Sequence, residues 1–122
     1  MKIIINIGEI QLYAELNETY TASKIYEALP IKGRGNTWGE EIYFSTPVKV
    51  SLEESAREVL EAGELGYWPD MQAFCIFYGP TPASKGDEIR AAGPVNVFGK
   101  IKSDLAPLKA IKEPVIVEVE KG

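Results

Sequence analysis

The chain has 122 residues, 45% hydrophobic and 25% charged, which is the composition of a single globular domain with a core of its own. A formal net charge of −5, with basic residues scattered along the sequence, argues against nucleic acid or an anionic membrane as the main partner. The sequence contains no histidine and one cysteine, which excludes a His general base, a His ligand to zinc and an intramolecular disulfide.

The N-terminal residues predict a β-hairpin followed by a helix. Apolar residues alternate over residues 2–16 on both sides of a turn at Gly8, as in two strands that face one core. A helix is predicted from an N-cap at Thr21 to Pro30, which disfavours a helical conformation in the residue before it. The glycine-rich stretch 32–41, KGRGNTWGEE, is predicted as a loop. The opening apolar run is short and interrupted, so we interpret it as a strand and not a signal peptide, and expect a cytoplasmic protein.

The rest of the chain predicts mainly strands, with one more helix. Ser51 to Glu54 match a capping box, and the apolar spacing that follows predicts a second helix ending before Gly63. Residues 83–93, ASKGDEIRAAG, are predicted as a mobile loop. The predicted strands are EIYFS (41–45), VKVSL (48–52), AFCIFYG (73–79), VNVFGKI (95–101) and VIVEVE (115–120).

These elements indicate a mainly β fold. Predicted strands far outnumber predicted helices, and the connections carry Gly and Pro. Closing a sheet on itself removes the exposed edges that such strands present. The sequence therefore predicts one domain over residues 1–122, folded as a closed or nearly closed β-barrel with one or two short helices.

The order of motifs in the second half resembles that of the cyclophilins. The segments GELGYW (63–68), QAFCIFYGPT (72–81) and VNVFGKI (95–101) correspond in order to the middle of a cyclophilin. WGEEIYF (38–44) and GPTP (79–82) make the chain more similar to small prokaryotic cyclophilin-like proteins that lack the prolyl isomerase motif. The resemblance implies a closed cyclophilin-like β-barrel of about eight strands, and it implies no settled activity.

The chain departs from the cyclophilin enzymes at the positions that carry catalysis. Nothing between the first helix and Gly63 matches the arginine-containing motif of the isomerases, and Arg34 is only the nearest arginine. Val95 stands near the position of the cyclophilin His. These departures argue against prolyl isomerase activity, and no catalytic residue is predicted.

A ligand-binding groove is predicted from large aromatic and polar residues. Strand alternation places Glu41 and Tyr43 on one face, and Glu40 and Ile42 on the other. A carboxylate beside an aromatic wall can bind an amine or a peptide N–H, whereas a solvated turn pair is the alternative, and which glutamate faces the groove stays open. The candidate ligand-binding residues are Trp38, Glu40, Glu41, Tyr43, Tyr67, Trp68, Phe74, Thr81 and Asn96.

Cofactor and metal sites are not predicted. The glycine-rich loop has Trp38 where a dinucleotide-binding motif needs its third glycine, and the acidic pairs lack calcium-loop spacing. Cys75 lies in an apolar strand and is predicted to be buried and unreactive.

The predicted function is therefore a groove that binds a small molecule or a peptide segment. One alternative is a weak prolyl isomerase that uses Phe74 and Arg34. The other is an oligomeric structural or interaction protein, a homo-oligomer whose subunits bury the same aromatic residues between them.

Overall fold

Nine strands, one α-helix and two short 3₁₀ helices form the fold in a computed structural model that describes residues 1–122. The strands are β1 (Lys2–Ile7), β2 (Ile10–Leu16), β3 (Ile31–Thr37), β4 (Glu41–Ser45), β5 (Arg57–Leu60), β6 (Glu64–Trp68), β7 (Ala73–Phe77), β8 (Ile89–Ile101) and β9 (Val115–Lys121). The helices are α1 (Tyr20–Ala28) and the 3₁₀ helices Pro69–Met71 and Ala106–Ala110.

Eight of the nine strands form a closed ring. Their order is β2-β1-β9-β3-β4-β7-β6-β8, and the ring closes where Ala14 of β2 lies opposite Ile101 of β8. All neighbouring strands in the ring are antiparallel. The remaining strand, β5, pairs with the first part of β8 outside the ring. The predicted mainly β fold, a closed arrangement of about eight strands with one or two short helices, is confirmed.

Strand β7 is buried on both faces and separates two apolar clusters. Successive residues of a strand point to opposite faces, so Phe74 and Ile76 point into the ring, where they join a cluster of 24 buried residues. Ala73, Cys75 and Phe77 point outward and belong to a second cluster of seven buried residues. The sheet therefore has a packed outer face at β7 as well as a packed interior.

Strand β8 covers that outer face and also closes the ring. Its first part pairs with β5 and supplies Ile89, Ala91 and Val95 to the outer cluster. Its second part pairs with β6 and β2 within the ring. Residues 89–93, predicted as loop, belong to this strand, which pairs with β5 at Ile89, Arg90 and Val95.

The predicted hairpin over residues 2–16 is present as β1 and β2, but the predicted loop at 32–41 contains β3. The glycines of β3 permit close packing inside the ring. A Cβ on Gly33 would lie 2.8 Å from Phe44 Cδ2, and one on Gly35 would lie 2.8 Å from Val117 Cγ2. Glycine here indicates a strand with no room for side chains.

Helix α1 begins two residues earlier than predicted. Its N-cap is Thr19, whose hydroxyl oxygen accepts a hydrogen bond from the backbone N–H of Ala22. The hydroxyl and backbone N–H of Thr21 instead donate to the carboxylate of Glu53. Thr21 therefore links the helix to the segment before β5.

The predicted second helix is absent, and so is the predicted strand at residues 48–52. Residues 46–56 form no regular element, and residues 57–60 form β5. Pairing with β8 overrides the helical pattern, and Leu52, which the apolar face of the predicted helix would bury, is 54% exposed.

Side chains of the ring fix this irregular segment in place. The Tyr67 hydroxyl donates to the carbonyl oxygen of Val48 at 2.6 Å and accepts from the N–H of Val50 at 3.3 Å. Asn96 accepts from the N–H of Glu53 and donates to the carbonyl oxygen of Ser51. Buried backbone groups that lack helical partners are satisfied in this way.

Replacing Tyr67 by Phe tests this link between the ring and the segment. The change removes a buried hydroxyl and leaves the Val50 N–H without its partner, whereas the Val48 carbonyl keeps only the Gln72 amide. We expect the free energy of unfolding to fall by about 1–3 kcal/mol, measured by chemical denaturation.

The control for this change is Tyr13→Phe, since Tyr13 is 54% exposed and its hydroxyl bonds only to the Gln11 side chain. The control is expected to change the free energy by no more than about 0.5 kcal/mol. Equal effects of the two substitutions would contradict a special role for the Tyr67 hydroxyl.

Candidate functional site

A cavity of about 210 Å³ lies against the outer face of β4 and β7, under the first part of β8. Ten residues line it, of which nine are hydrophobic, and Glu41 is the exception. The aromatic part of the lining consists of Trp38, Tyr43, Trp68 and Phe77. The cavity is therefore an apolar, aromatic site with one ionisable carboxylate.

Antiparallel pairing of β4 with β7 sets the positions of the lining side chains. Glu41 lies opposite Phe77, and Tyr43 lies opposite Cys75, so all four share the outer face. The expected common face of Glu41 and Tyr43 is confirmed. The backbone N–H of Trp38 donates to the Glu41 carbonyl oxygen at 2.9 Å, which fixes Trp38 just before β4.

The turn between β3 and β4 depends on Gly39. Its φ angle of +59° lies in the left-handed region, and a Cβ would approach the Thr81 Cα to 2.8 Å. A side chain at this position is excluded both by conformation and by space. Gly39 thus holds Trp38 and β4 close to the loop that contains Thr81.

Glu41 is buried without an ionic partner. It is 6% exposed, and it takes part in none of the seven ion pairs. Burial raises the pKa of the Glu41 carboxyl from 4.5 to about 7, and the neighbouring Cys75 thiol offsets part of this effect. The site therefore holds a carboxyl group that changes charge near neutral pH.

Glu40 points away from the cavity. Its carboxylate lies 3.0 Å from the Nζ of Lys109 and packs against Gly79. Of the two adjacent glutamates, Glu41 faces the cavity. Strand alternation alone does not tell which of the two glutamates faces the groove, whereas the structure has Glu41 in the cavity lining.

Cys75 is buried as predicted, and its thiol lies within reach of the Ala73 carbonyl oxygen and the Glu41 carboxylate. Burial, with the nearby Glu41 charge, raises the pKa of the thiol well above its usual value. The thiol is therefore protonated at neutral pH and is a poor nucleophile.

Four further candidate residues lie outside the lining. Tyr67 holds the segment before β5, and Asn96 is buried among Thr21, Ser51 and Glu53. Both occupy structural positions, because their polar groups are fully engaged by the protein itself.

Phe74 and Thr81 likewise have partners within the fold. The Phe74 ring stacks on Phe44 with 4.9 Å between centroids and meets Phe98 edge-on, all inside the ring. The Thr81 hydroxyl donates to the carbonyl oxygen of Arg90. Phe77, three residues after Phe74 and therefore on the opposite face of β7, is the phenylalanine that faces the cavity.

Sequence reasoning missed the part of the lining that comes from β8. Ala91, Ala92 and Val95 form this wall, and Met71 of the first 3₁₀ helix lies at the mouth. Small apolar residues in a predicted loop give no signal of a binding wall. Phe77 shares the face of Cys75 along β7, but this uniformly apolar and buried strand does not show in its sequence which face is the outer one.

Arg34, the nearest arginine to the isomerase position, lies elsewhere on the ring. It is exposed on β3, opposite Ile116 of β9, and it does not line the cavity. None of the helices is long and apolar enough to cross a lipid bilayer.

The raised pKa of Glu41 predicts a pH-dependent stability. Folding raises this pKa from 4.5 to about 7, so between these pH values the folded protein binds a proton that the unfolded chain has lost. The contribution of Glu41 to the free energy of unfolding is therefore highest below pH 4.5 and falls as the pH rises through 7. Between pH 4 and pH 8 the wild type is expected to lose about 3 kcal/mol of unfolding free energy relative to Glu41→Gln. Chemical denaturation at several pH values measures this difference.

Glu40→Gln is the matched control, because Glu40 adjoins Glu41 but forms a surface ion pair. Its stability profile is expected to follow that of the wild type over this pH range. Parallel profiles for the wild type and Glu41→Gln would show that the buried carboxyl does not titrate as described.

Comparisons with known proteins agree with this fold. A family model described as cyclophilin-like matches residues 1–120. The solution structure of a hypothetical protein from Archaeoglobus fulgidus is 38% identical, covers 100% of this chain and 95% of its own, and superposes with a TM-score of 0.83. McbB, solved in complex with tryptophan, shares the fold at 14% identity with a TM-score of 0.71, over 98% of this chain and 44% of McbB. No curated protein matches the sequence. The chain belongs to the cyclophilin-like family, as its motifs indicate.

Proposed function

We propose that this protein is a binding domain for a small organic molecule, which occupies the cavity on the outer face of β4 and β7. The observation that carries the proposal is an apolar hollow with a single carboxylate in its lining. Small-molecule sites typically combine apolar walls with a few polar groups that fix the orientation of the ligand. This cavity has that composition.

The size of the cavity limits the ligand. Its volume of about 210 Å³ equals about seven water molecules at ~30 Å³ each. Sites for drug-sized molecules are larger, roughly 300–1,000 Å³. With about one non-hydrogen atom for each water displaced, a group of about seven such atoms matches this volume, which corresponds to one side chain of a peptide segment.

The mouth of the cavity is open to solvent. Met71 is 49% exposed and Ala92 is also exposed, while Cys75 and Phe77 form a buried floor. A second cavity of about 190 Å³, lined in part by Leu52, Pro69 and Gly93, adjoins it and shares Trp68 and Ala92 with it. A ligand that enters at the mouth thus has a path to the floor and room for a substituent outside.

A structural neighbour gives limited support. McbB, of which 44% matches this chain, has been solved in complex with tryptophan, so a protein that contains this fold binds a small aromatic amino acid. At 14% identity the likeness concerns the fold alone. The argument for binding in this chain therefore rests on its own cavity.

Catalysis of prolyl isomerisation has less support than binding. The reaction has a barrier of roughly 20 kcal/mol, and lowering it requires a donor aimed at the prolyl nitrogen as amide resonance is lost. The cavity has apolar surface for a proline ring, but no Lys or Arg lines it. Arg34 lies on β3 outside the lining.

Tryptophan fluorescence provides a direct test of binding. The chain has two tryptophans, Trp38 and Trp68, and both line the cavity. Titration with cyclohexanol, a neutral and non-fluorescent molecule of about seven non-hydrogen atoms, is expected to change the emission with saturation. Ala92→Phe, which fills the mouth, is expected to weaken this binding at least tenfold.

Ala110→Phe is the matched control, since Ala110 is exposed in the second 3₁₀ helix and does not line the cavity. This control is expected to bind cyclohexanol like the wild type. Equal binding by the Ala92→Phe variant would place the ligand elsewhere, and no saturable change in the wild type would contradict the proposal.

A protease-coupled proline-peptide assay tests the alternative. We expect no acceleration of isomerisation above the uncatalysed rate, because the cavity lacks a cationic donor. Catalysis that disappears in folded Arg34→Ala protein would favour the isomerase function over simple binding.

A further inference from the structure

The Glu41 carboxylate is the one charged group in the cavity, and the protein supplies no cation to it. Charged side chains are rarely buried unless they are paired. Glu41 is 6% exposed, forms no ion pair and lies among nine hydrophobic lining residues. The Glu41 carboxylate is therefore available to pair with a positively charged group of a ligand.

The basic side chains near the cavity are engaged elsewhere. Lys109 pairs with Glu40, with 3.0 Å between Nζ and the carboxylate oxygen. Arg90, next to the wall residue Ala91, pairs with Glu88 at 2.7 Å and with Glu58 at 3.1 Å. Neither reaches Glu41, so the counter-charge does not come from these residues.

The walls beside Glu41 are suited to a cation. Trp38, Tyr43 and Trp68 line the cavity, and the faces of such rings attract positive charge, most strongly when water is excluded. The formal net charge of −5 also raises the local concentration of cations around the protein. On this basis we propose that the ligand carries a tertiary or quaternary ammonium group, which binds beside Glu41 between these aromatic side chains; the inference rests on the proposed function.

The scarcity of acceptors distinguishes a methylated ammonium from a primary one. A primary ammonium has three N–H donors, each of which needs an acceptor when it leaves water. Among the side chains of the lining, only the Glu41 carboxylate and the Tyr43 hydroxyl accept hydrogen bonds well. A quaternary ammonium has no N–H donor, and its methyl groups pack against apolar walls.

Choline and its neutral isostere 3,3-dimethylbutan-1-ol provide a matched pair of probes. Both have about seven non-hydrogen atoms, which corresponds to the room in the cavity. Tryptophan fluorescence titrations at pH 8 are expected to give a dissociation constant for choline at least tenfold below that of the alcohol. Glu41→Gln is expected to remove this preference, and Glu40→Gln is expected to retain it.

A pH series on the wild-type protein tests the same idea without a substitution. Three titratable groups line the cavity, namely Glu41 and Tyr43 of β4 and Cys75 of β7. The lining residues of β8 and of the first 3₁₀ helix are not titratable, and Asp70, next to Met71, is exposed to solvent. Because the pKa of Glu41 is about 7, its ionised fraction falls about tenfold from pH 8 to pH 6. The dissociation constant of choline should rise by that factor, while that of the alcohol stays constant.

The outcomes separate the two proposals. If the alcohol binds with saturation as tightly as choline at pH 8, the ammonium inference is wrong and the binding function stands. The same conclusion follows if the affinity for choline is independent of pH between 6 and 8. If neither probe nor cyclohexanol gives a saturable change, both proposals are overturned.

Discussion

The double-sided burial of β7 is the constraint on which the rest of this structure depends. A strand in a closed ring normally offers one face to the interior and the other to water. Here both faces of β7 are covered, the inner by the ring core and the outer by the first part of β8. Because side chains alternate along the strand, its two faces have different roles. Phe74 and Ile76 pack in the core of the ring, whereas Cys75 and Phe77 form the floor of the cavity.

The cavity contains a group that weakens the fold at neutral pH. An uncharged side chain of the same shape at position 41 would avoid the desolvation that burial imposes on the carboxylate. Sites whose polar groups are unpaired within the protein are typical of positions where a ligand completes the interaction. The contrast with Glu40, whose carboxylate has a surface partner in Lys109, shows how one step along the chain changes the environment completely.

Local patterns in the sequence predicted the parts of the fold that local interactions determine. The hairpin of β1 and β2 and the C-terminal strand β9 have clear alternation, and both are confirmed. The capping box after Ser51 was misleading, because β5 forms by pairing with residues about 30 positions away, and because Glu53 bonds to Thr21. The glycines of β3 looked like a loop, since sequence does not reveal how closely a neighbouring strand approaches.

The candidate site was predictable to the same limited extent. Alternation along β4 correctly put Glu41 and Tyr43 together, because polar and apolar residues differ on its two faces. Along β7 every residue is apolar and buried, so its sequence contains no sign of which face is outer, and Phe74 was favoured over Phe77. The wall from β8 required long-range information, since Ala91 and Val95 have no recognisable chemistry.

Because β8 is one continuous strand from the cavity wall into the ring, the cavity wall is rigid. The residues over the cavity, Ala91 to Val95, run directly into the residues that pair with β6 and β2 to complete the circle of strands. The part of β8 over the cavity is held on one side by pairing with β5 and on the other by pairing within the ring. It therefore has no free end that could open like a lid. Under the proposed function, recognition therefore relies on a rigid, preformed cavity, and substitution of its lining side chains would change which ligand fits without altering the ring of strands.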